Sequence, residues 1–236
     1  MKSKAIAHQF EFWKYLGKAG NYFWSDGGYY TISAKNFTWP SRIFNLINPD
    51  VGLLKEKIKL KLIPHSIAVE DGNCIGDELK NEGFSTKSIV DGMTLLLKPS
   101  SSFLASTHIV RISNQEELKV FASIASEAFG YTIYPSSLSG LLVGNRAKLF
   151  IGSYKDKFVS CGILFLDSNN DCGLHMIGTR KGFRGLGIGK MMTEHLLNQA
   201  IKNKSKEIHL VASKLGLPIY NSLGFQKRGY LKSYII

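Results

Sequence analysis

A glycine-rich turn, Arg184-Gly185-Leu186-Gly187-Ile188-Gly189-Lys190, constrains this chain more than any other segment. It follows a strand-like run, residues 172–179, and precedes a helix-like run, residues 188–201. Glycines leave main-chain N–H groups open to a ligand, and the N–H groups of a first helical turn have no partner within the helix. The helix dipole adds partial positive charge at the same place. We therefore expect this glycine loop, residues 184–190, to bind a phosphate group.

Two common nucleotide-binding motifs do not fit the glycine loop. A P-loop ends in Gly-Lys-Ser/Thr, which this segment lacks, and a dinucleotide-binding fingerprint needs a glycine where Arg184 stands. The fingerprint also needs an acidic residue farther along the chain, and none follows at the required distance. The remaining alternative is an ordinary tight connection between a strand and a helix, so the loop alone does not decide the function.

A second segment narrows the choice. The run Tyr220-Asn221-Ser222-Leu223-Gly224-Phe225 places a tyrosine shortly before a Gly-Phe pair, and residues 184–189 fit the pattern Arg/Gln-x-x-Gly-x-Gly/Ala. With these two motifs in this order, the sequence resembles the GNAT superfamily of acyl-CoA-dependent N-acyltransferases. The resemblance extends over approximately residues 107–236.

The resemblance implies a fold of the α/β (α+β) class. We expect the GNAT fold, a mixed, mostly antiparallel twisted sheet flanked by helices, in a catalytic domain of residues 105–236. The run Lys98-Pro99-Ser100-Ser101-Ser102 is the best candidate for a linker. Residues 1–104 before it are expected to form a smaller GNAT-like α/β domain.

A short repeat motivates this interpretation of the first half. The run Leu79-Lys80-Asn81-Glu82-Gly83-Phe84 and the strand-like run after it echo residues 220–225 and the strand-like run that follows them. The first copy has Leu79 in place of the tyrosine and no glycine loop, so we interpret it as degenerate. The alternative is that a helix ending at glycine before a hydrophobic residue is simply a common helix terminus.

Hydrophobic periodicity and turn residues predict the order of the elements. In the first half we expect a helix at 10–16, a strand at 29–32, a loop entering a helix at 39–42, a strand over 58–69 interrupted by Pro64, a helix at 75–82 and a strand at 89–97. In the second half we expect helices at 118–129 and 188–201, and strands at 109–112, 149–154, 158–166, 172–179, 208–212 and 230–236.

The resemblance implies acetyl-CoA as the co-substrate. Its pyrophosphate would lie on the glycine loop, and we assign cofactor binding there to Arg184, Gly185, Leu186, Gly187, Ile188, Gly189 and Lys190. Its pantetheine arm would run beside Ile177, Gly178 and Thr179 like an additional strand. The N–H group of Ile177 would polarise the thioester carbonyl, and Gly178 suits a bulge in that strand. Ser213 stands near the position where many relatives have an asparagine that contacts the arm.

Two side chains are candidates for proton transfer. The resemblance implies that Tyr220 is a general acid, since a phenol near the coenzyme sulfur can protonate the departing thiolate. The alternative is a tyrosine that only packs its ring. Relatives often carry a glutamate on the strand before the loop, but this strand has none, and His175 is the candidate general base. The alternative for His175 is a purely structural histidine, and Cys161 and Cys172 are interpreted as small core residues.

Composition limits the other classes of function. With 44% hydrophobic and 20% charged residues, the composition indicates a folded chain. A net charge of +12 suggests an acidic partner such as coenzyme A, and the alternative is a basic surface that is simply solvated. The lysines are scattered without a nucleic-acid-binding motif, so no nucleic acid is expected. No apolar run reaches the roughly 18 residues of a membrane span, and the first residues do not resemble a secretory signal. Three cysteines without metal-ligand spacing indicate a cytoplasmic protein with no metal.

Three functions follow from these observations, in decreasing order of support. The first is an N-acetyltransferase that moves an acetyl group from acetyl-CoA to a primary amine of a small molecule or peptide, by direct attack in a ternary complex. The second is a non-catalytic acyl-CoA-binding or regulatory module, motivated by the missing glutamate and the degenerate first half. The third is a nucleic-acid-binding protein. The sequence does not identify the acceptor, the acyl chain length or the oligomeric state.

Overall fold

The computed structural model describes residues 3–34 and 39–236, and within them helices flank a single sheet. The helices are α1 (Lys4–Ala19), α2 (Val51–Lys59), α3 (Ile75–Asn81), α4 (Gln115–Phe129), α5 (Ile188–Lys202) and α6 (Leu217–Ser222). The strands are β1 (Phe23–Ser25), β2 (Tyr30–Ser33), β3 (Ser41–Phe44), β4 (Ser66–Glu70), β5 (Ser85–Leu96), β6 (Ile109–Arg111), β7 (Ala147–Tyr154), β8 (Lys157–Leu166), β9 (Cys172–Thr179), β10 (Glu207–Ala212) and β11 (Gln226–Ile235).

These strands form one sheet in the order β1-β2-β3-β4-β11-β5-β10-β9-β8-β7-β6. The pairs β3–β4 and β9–β10 are parallel, and the other neighbouring pairs are antiparallel. Parallel neighbours need a crossover connection, and α2 and α5 supply it in the two cases. The predicted fold class, a mixed and mostly antiparallel sheet flanked by helices, is confirmed.

The strand order is symmetrical about the central pair β11–β5. On one side lie β4, β3, β2 and β1, and on the other lie β10, β9, β8 and β7, with matching strand directions. Each half of the chain contributes its last strand to the other half, because β5 pairs with β10 and β11 pairs with β4. The two halves therefore share one sheet, while the division into domains at residues 104 and 105 stays a prediction.

The packing of the core agrees with this exchange. One buried cluster is built from residues between Tyr29 and Phe84 together with Tyr234 of β11. The side chain of Tyr234 is only 1% exposed, so the last strand of the chain completes the core of the first half. A second cluster joins α1 to α4 and to strands of the second half, among them β7 and β8. Burial of apolar surface thus holds the two halves together.

Most predicted elements are confirmed, but two in the first half are wrong. Residues 39–42 do not enter a helix, because Ser41–Phe44 is a strand paired on both sides, with β2 and β4. The expected strand over 58–69 is instead the end of α2, a turn, and then Ser66–Glu70 as β4. The helix begins at Asp50, whose side chain accepts a hydrogen bond from the N–H of Leu53, and it buries one apolar face.

Replacement of Tyr234 by alanine tests whether β11 completes the first core. Tyr234→Ala should lower the free energy of unfolding by about 3–5 kcal/mol, because a large buried ring leaves a cavity. Denaturation in urea measures this change. Phe158→Ala is the matched control, since the Phe158 side chain is 43% exposed and its loss should cost far less. Equal losses in the two variants would contradict this description of the core.

Candidate active site

The glycine loop lies at the protein surface where α5 begins. Gly185 and Gly187 have positive φ angles of 80° and 77°, which disfavour residues with a Cβ atom. The first backbone hydrogen bond of α5 runs from the Met191 N–H to the Gly187 carbonyl. Among the residues described, the N–H groups of residues 185–190 have no acceptor. The loop therefore presents a row of unpaired donors at a helix N-terminus, which is an anion-binding arrangement.

An ion pair connects the approach to the loop with α4. Arg180 pairs with Glu127 at 2.5 Å, and the other carboxylate oxygen of Glu127 accepts a hydrogen bond from the Lys181 N–H at 2.9 Å. The hydrogen bond from Arg180 is the largest of the effects that lower the pKa of Glu127. The charge of Arg180 is therefore paired within the protein. The Glu127 carboxylate positions the segment that leads into the glycine loop.

Arg184 also holds the loop in place. Its guanidinium donates hydrogen bonds to the carbonyl oxygen of Ala128 at 2.7 Å and to that of Thr179 at 3.3 Å. The ends of α4 and β9 are thus joined through this one side chain. The predicted contact of Arg184 with pyrophosphate stays a prediction, and the exposed Lys190 remains as a second cation of the loop.

A bulge interrupts β9 beside the expected position of the thioester. The register of β9 against β8 shifts by one residue before Gly178, and Met176 within the shift has a φ angle of 51°. A bulge was expected in this strand at Gly178, and the register shift lies directly before that residue, between His175 and Gly178. Gly178 is small for another reason, since a Cβ atom there would lie 2.8 Å from the Cβ of Ala128 on α4. The assignment of the Ile177 N–H stays a prediction.

Beyond this point β9 and β10 separate. Their parallel pairing covers three positions and ends at Leu174 and Leu210. β10 continues along β5 as far as Ala212, whereas β9 continues along β8 toward the glycine loop. The β10-facing edge of residues 175–179 therefore has no strand partner in the described part of the chain. An extended ligand can add to this edge through main-chain hydrogen bonds.

Tyr220 lies on α6, next to the start of α5. Its neighbour Ile219 lies 3.3 Å from where a Cβ atom of Gly189 would be, so the two helices are in contact. Burial raises the pKa of Tyr220 to about 12, and the phenol is protonated at neutral pH. No residue that the structure describes hydrogen-bonds to this hydroxyl. Ser213, at the mouth of the same region, accepts a hydrogen bond from the Gly216 N–H.

A cavity of about 390 Å³ opens beside Tyr220 over the middle of the sheet. We call it the central cavity. Strands of both halves form its floor, and α1, the segment before β3 and the segment after α4 form its walls. Side chains that define it include Trp13, Trp39, Arg42, Tyr131, His175 and Tyr220.

His175 is part of the cavity wall and is deeply buried. Its ring stacks on Phe12 with a centroid distance of 3.9 Å, and its Nε2 atom has no hydrogen-bond partner in the described structure. Burial, together with the nearby His8 and His209, holds the pKa of His175 well below its usual value. The imidazole is therefore neutral at pH 7. Its predicted role as a base is compatible with this state but stays a prediction.

Behind His175 lies a group of buried polar residues that the sequence analysis did not find. His8 stacks on His175 at 5.4 Å and forms a hydrogen bond through Nδ1 with Asp167 at 3.0 Å. His209 lies 5.3 Å from His8, and its Nδ1 atom is 3.0 Å from the Thr94 hydroxyl. No sequence spacing could have indicated this cluster, because its members come from α1, β5, β9, β10 and a loop.

One group of side chains has the geometry of possible metal ligands. Atoms of Asp171, Glu207 and His209 lie within 4.8 Å of one another. However, Asp171 already accepts hydrogen bonds from the N–H groups of Lys206 and Glu207, and Glu207 pairs with Lys4. These carboxylates therefore have partners within the protein, and the group lies outside the central cavity.

The corresponding position of the first half differs in a decisive way. α2 occupies the same place in the topology as α5, but Asp50 precedes it and its side chain accepts a hydrogen bond from the Leu53 N–H. A carboxylate at this helix end satisfies a donor and repels an anionic ligand. Of the two crossover helices in the described part of the chain, α5 is therefore the one that begins at unpaired N–H groups with cationic neighbours.

Comparison with known proteins agrees with the fold and the site. Residues 111–232 match the family model for the acetyltransferase (GNAT) domain. This match covers more than half of the chain, and the chain belongs to the GNAT acetyltransferase family. No curated protein matches the sequence significantly.

Several solved structures share the architecture. A GCN5-related N-acetyltransferase from Kribbella flavida aligns over 99% of this chain and 96% of its own, with a TM-score of 0.68 and 15% identity. A putative GNAT-family acetyltransferase from Novosphingobium aromaticivorans aligns over 95% and 94%, with a TM-score of 0.63 and 11% identity. A GCN5-related N-acetyltransferase from Sphaerobacter thermophilus aligns over 88% and 76%, with a TM-score of 0.62 and 13% identity. At these identities the likeness shows the fold alone.

None of the described helices combines the length and the apolar character needed to span a bilayer.

The buried histidines predict a dependence of stability on pH. Burial, with a smaller effect of His8, lowers the pKa of His209 from 6.5 to about 4. Between these values the unfolded chain binds more protons than the folded one, so stability falls as the pH falls. His209 should contribute a loss of up to about 1.4 kcal/mol per pH unit in this range.

Urea denaturation between neutral pH and about pH 5 measures this loss. His209→Gln should flatten the dependence, whereas His65→Gln, at an exposed position, should leave it unchanged. An unchanged pH dependence in His209→Gln would show that this imidazole is not the source.

Proposed function

We propose that this protein transfers an acetyl group from acetyl-CoA to a primary amine, by direct attack within a ternary complex. The observation that carries this proposal is the row of unpaired N–H groups in residues 185–190, at the end of a strand whose edge is free to pair with an extended ligand. A diphosphate and a pantetheine arm fit these two features in turn. The family to which the chain belongs supports acyl transfer in general.

The proposed reaction uses the side chains that lie beside these two features. The amine nitrogen attacks the thioester carbonyl carbon, a C–N bond forms, and the C–S bond breaks. The thiolate that leaves takes a proton from Tyr220, whose raised pKa keeps it protonated until this step. In this scheme the backbone N–H at the bulge of β9, assigned to Ile177, stabilises the negative charge that develops on the carbonyl oxygen.

The amine must also lose a proton. We assign its acceptance to His175, because the ring is neutral and lines the central cavity. A neutral imidazole in the cavity wall can accept the proton directly or through water.

Substitution in the glycine loop tests the binding of acetyl-CoA. Gly187→Val should weaken binding at least about tenfold, because a β-branched residue at a φ of 77° costs roughly 1–2 kcal/mol and turns the N–H groups away. Isothermal titration calorimetry with acetyl-CoA measures the affinity. Gly182→Val is the matched control, since Gly182 has no positive φ and no atom within 4 Å of its Cβ position. Equal affinities for the two variants would exclude the assigned site.

Removal of the Tyr220 hydroxyl tests its role as an acid. Tyr220→Phe should lower kcat roughly 100-fold or more while the affinity for acetyl-CoA stays nearly constant. Release of free thiol from acetyl-CoA measures turnover, and calorimetry measures binding. Tyr230→Phe, outside the central cavity, should behave like the unchanged protein. A kcat that does not fall in Tyr220→Phe would remove this assignment.

The second candidate is a non-catalytic acyl-CoA-binding module. It is favoured by one observation, the lack of any Asp or Glu among the described residues that line the central cavity. A single measurement distinguishes the two candidate functions, namely the release of thiol from acetyl-CoA in the presence of a broad panel of primary amines. Binding of acetyl-CoA without release of thiol from any amine supports the module.

A further inference from the structure

Arg42 occupies an unusual position in the central cavity. It belongs to β3, and its guanidinium carbon lies 4.2 Å from the centre of the Trp13 ring. Its Nε atom is buried and has no hydrogen-bond acceptor within the described residues. No carboxylate in the described part of the chain pairs with it. Arg42 is therefore a partly buried cation that lies on the Trp13 ring and is paired with no carboxylate among the described residues.

The positive charge of Arg42 persists despite this burial. Desolvation lowers the pKa of Arg42 to about 10, which still leaves the guanidinium protonated at neutral pH. A buried charge without an opposite partner is costly, and proteins normally pair it or hydrogen-bond it. An anionic ligand group at this place would complete the hydrogen bonding of the guanidinium.

The rest of the wall has the same preference for negative charge. The described residues that line the central cavity include a second cation, Lys87, and no Asp or Glu. An acceptor with several positive charges, such as a polyamine, would find no counterion there. The wall therefore discriminates between acceptor classes that the fold alone leaves open.

Polar and aromatic side chains around Arg42 indicate what the rest of the ligand would contact. Ser66 precedes Ile67, which pairs with Ile43 next to Arg42 in the parallel register of β3 and β4, and Ser88 lies opposite Ser233 across β5 and β11. These serines line the same cavity and can hydrogen-bond to a carboxylate. Other parts of the wall are aromatic, from Phe12, Trp13, Trp39, Phe129 and Tyr131.

From this arrangement we infer that the amine acceptor carries a carboxylate, which pairs with Arg42, next to an apolar or aromatic group. The chemical class is that of an α-amino acid. The pairing of a carboxylate with Arg42 does not depend on the proposed acetyl transfer. The identity of the product, an N-acetylamino acid, rests on that proposed function. A planar guanidinium and a carboxylate form paired, charge-assisted hydrogen bonds, which a neutral amide cannot replace. The cavity volume of about 390 Å³ lies in the range of small-molecule sites, roughly 300–1,000 Å³.

Matched ligand pairs test the inference. N-acetylglycine, N-acetyl-L-leucine and N-acetyl-L-phenylalanine are each compared with their own carboxamide by isothermal titration calorimetry, with and without coenzyme A. We expect at least one acid to bind about tenfold or more tightly than its amide, as the loss of a charged hydrogen bond predicts. No preference for the acid in any pair would overturn the inference.

Substitution of Arg42 locates the preference. Arg42→Gln should abolish the preference for the acid, and Arg42→Lys, which keeps the charge without the planar fork, should retain part of it. Arg111→Gln, on the distant edge strand β6, makes the same change of net charge and should leave the preference intact. A preference unchanged in Arg42→Gln would overturn the assignment. If Arg42→Gln does not fold, the preference for acids in Arg42→Lys and in the unchanged protein still tests the inference.

Thiol release separates failure of this inference from failure of the proposed function. Release of thiol with polyamines, combined with no preference for acids, retains acetyl transfer and overturns the carboxylate site. Preferential binding of acids without thiol release from acetyl-CoA and the parent amino acids retains the carboxylate site and overturns acetyl transfer.

Discussion

The antiparallel pairing of β5 with β11 is the interaction on which the rest of the structure depends. Each of these strands comes from the end of one half and also pairs with a strand of the other half, β10 or β4. Neither half could satisfy the backbone of its own last strand in this arrangement without its counterpart. Because the exchange places strands of both halves side by side, the floor of the central cavity belongs to both.

The two crossover helices show how a small chemical difference assigns different roles to similar elements. At the start of α2 the Asp50 carboxylate accepts a hydrogen bond from the helix, so the positive helix end is neutralised from within. At the start of α5 the glycine loop provides no such side chain, and Arg180 and Arg184 hold it against α4 and β9. The second helix end thus remains available to an anion. The electrostatic difference between the N-termini of α2 and α5 requires only a change from an acidic capping residue to glycines.

Local patterns predicted elements well where the elements depend on local contacts. The glycine loop, α5 and the strands from β7 to β9 follow from periodicity and turn residues, and they lie where they were expected. The strand β3 was missed because a strand of four residues owes its conformation to its neighbours β2 and β4. The bulge of β9 lies between His175 and Gly178, next to the glycine at which it was expected, whereas no local pattern indicated the positive φ angle of Met176.

The amino-acid sequence alone determined the family, the glycine loop before α5 and the position of Tyr220 after it, because these depend on residues close together in the chain. Tertiary structure decided the strand exchange, the burial of His175 beside Phe12, and the approach of Arg42 to a cavity that Tyr220 also lines. These contacts join residues far apart in the chain. Hydrophobic burial and backbone pairing across the whole sheet select them, and no local spacing records that choice.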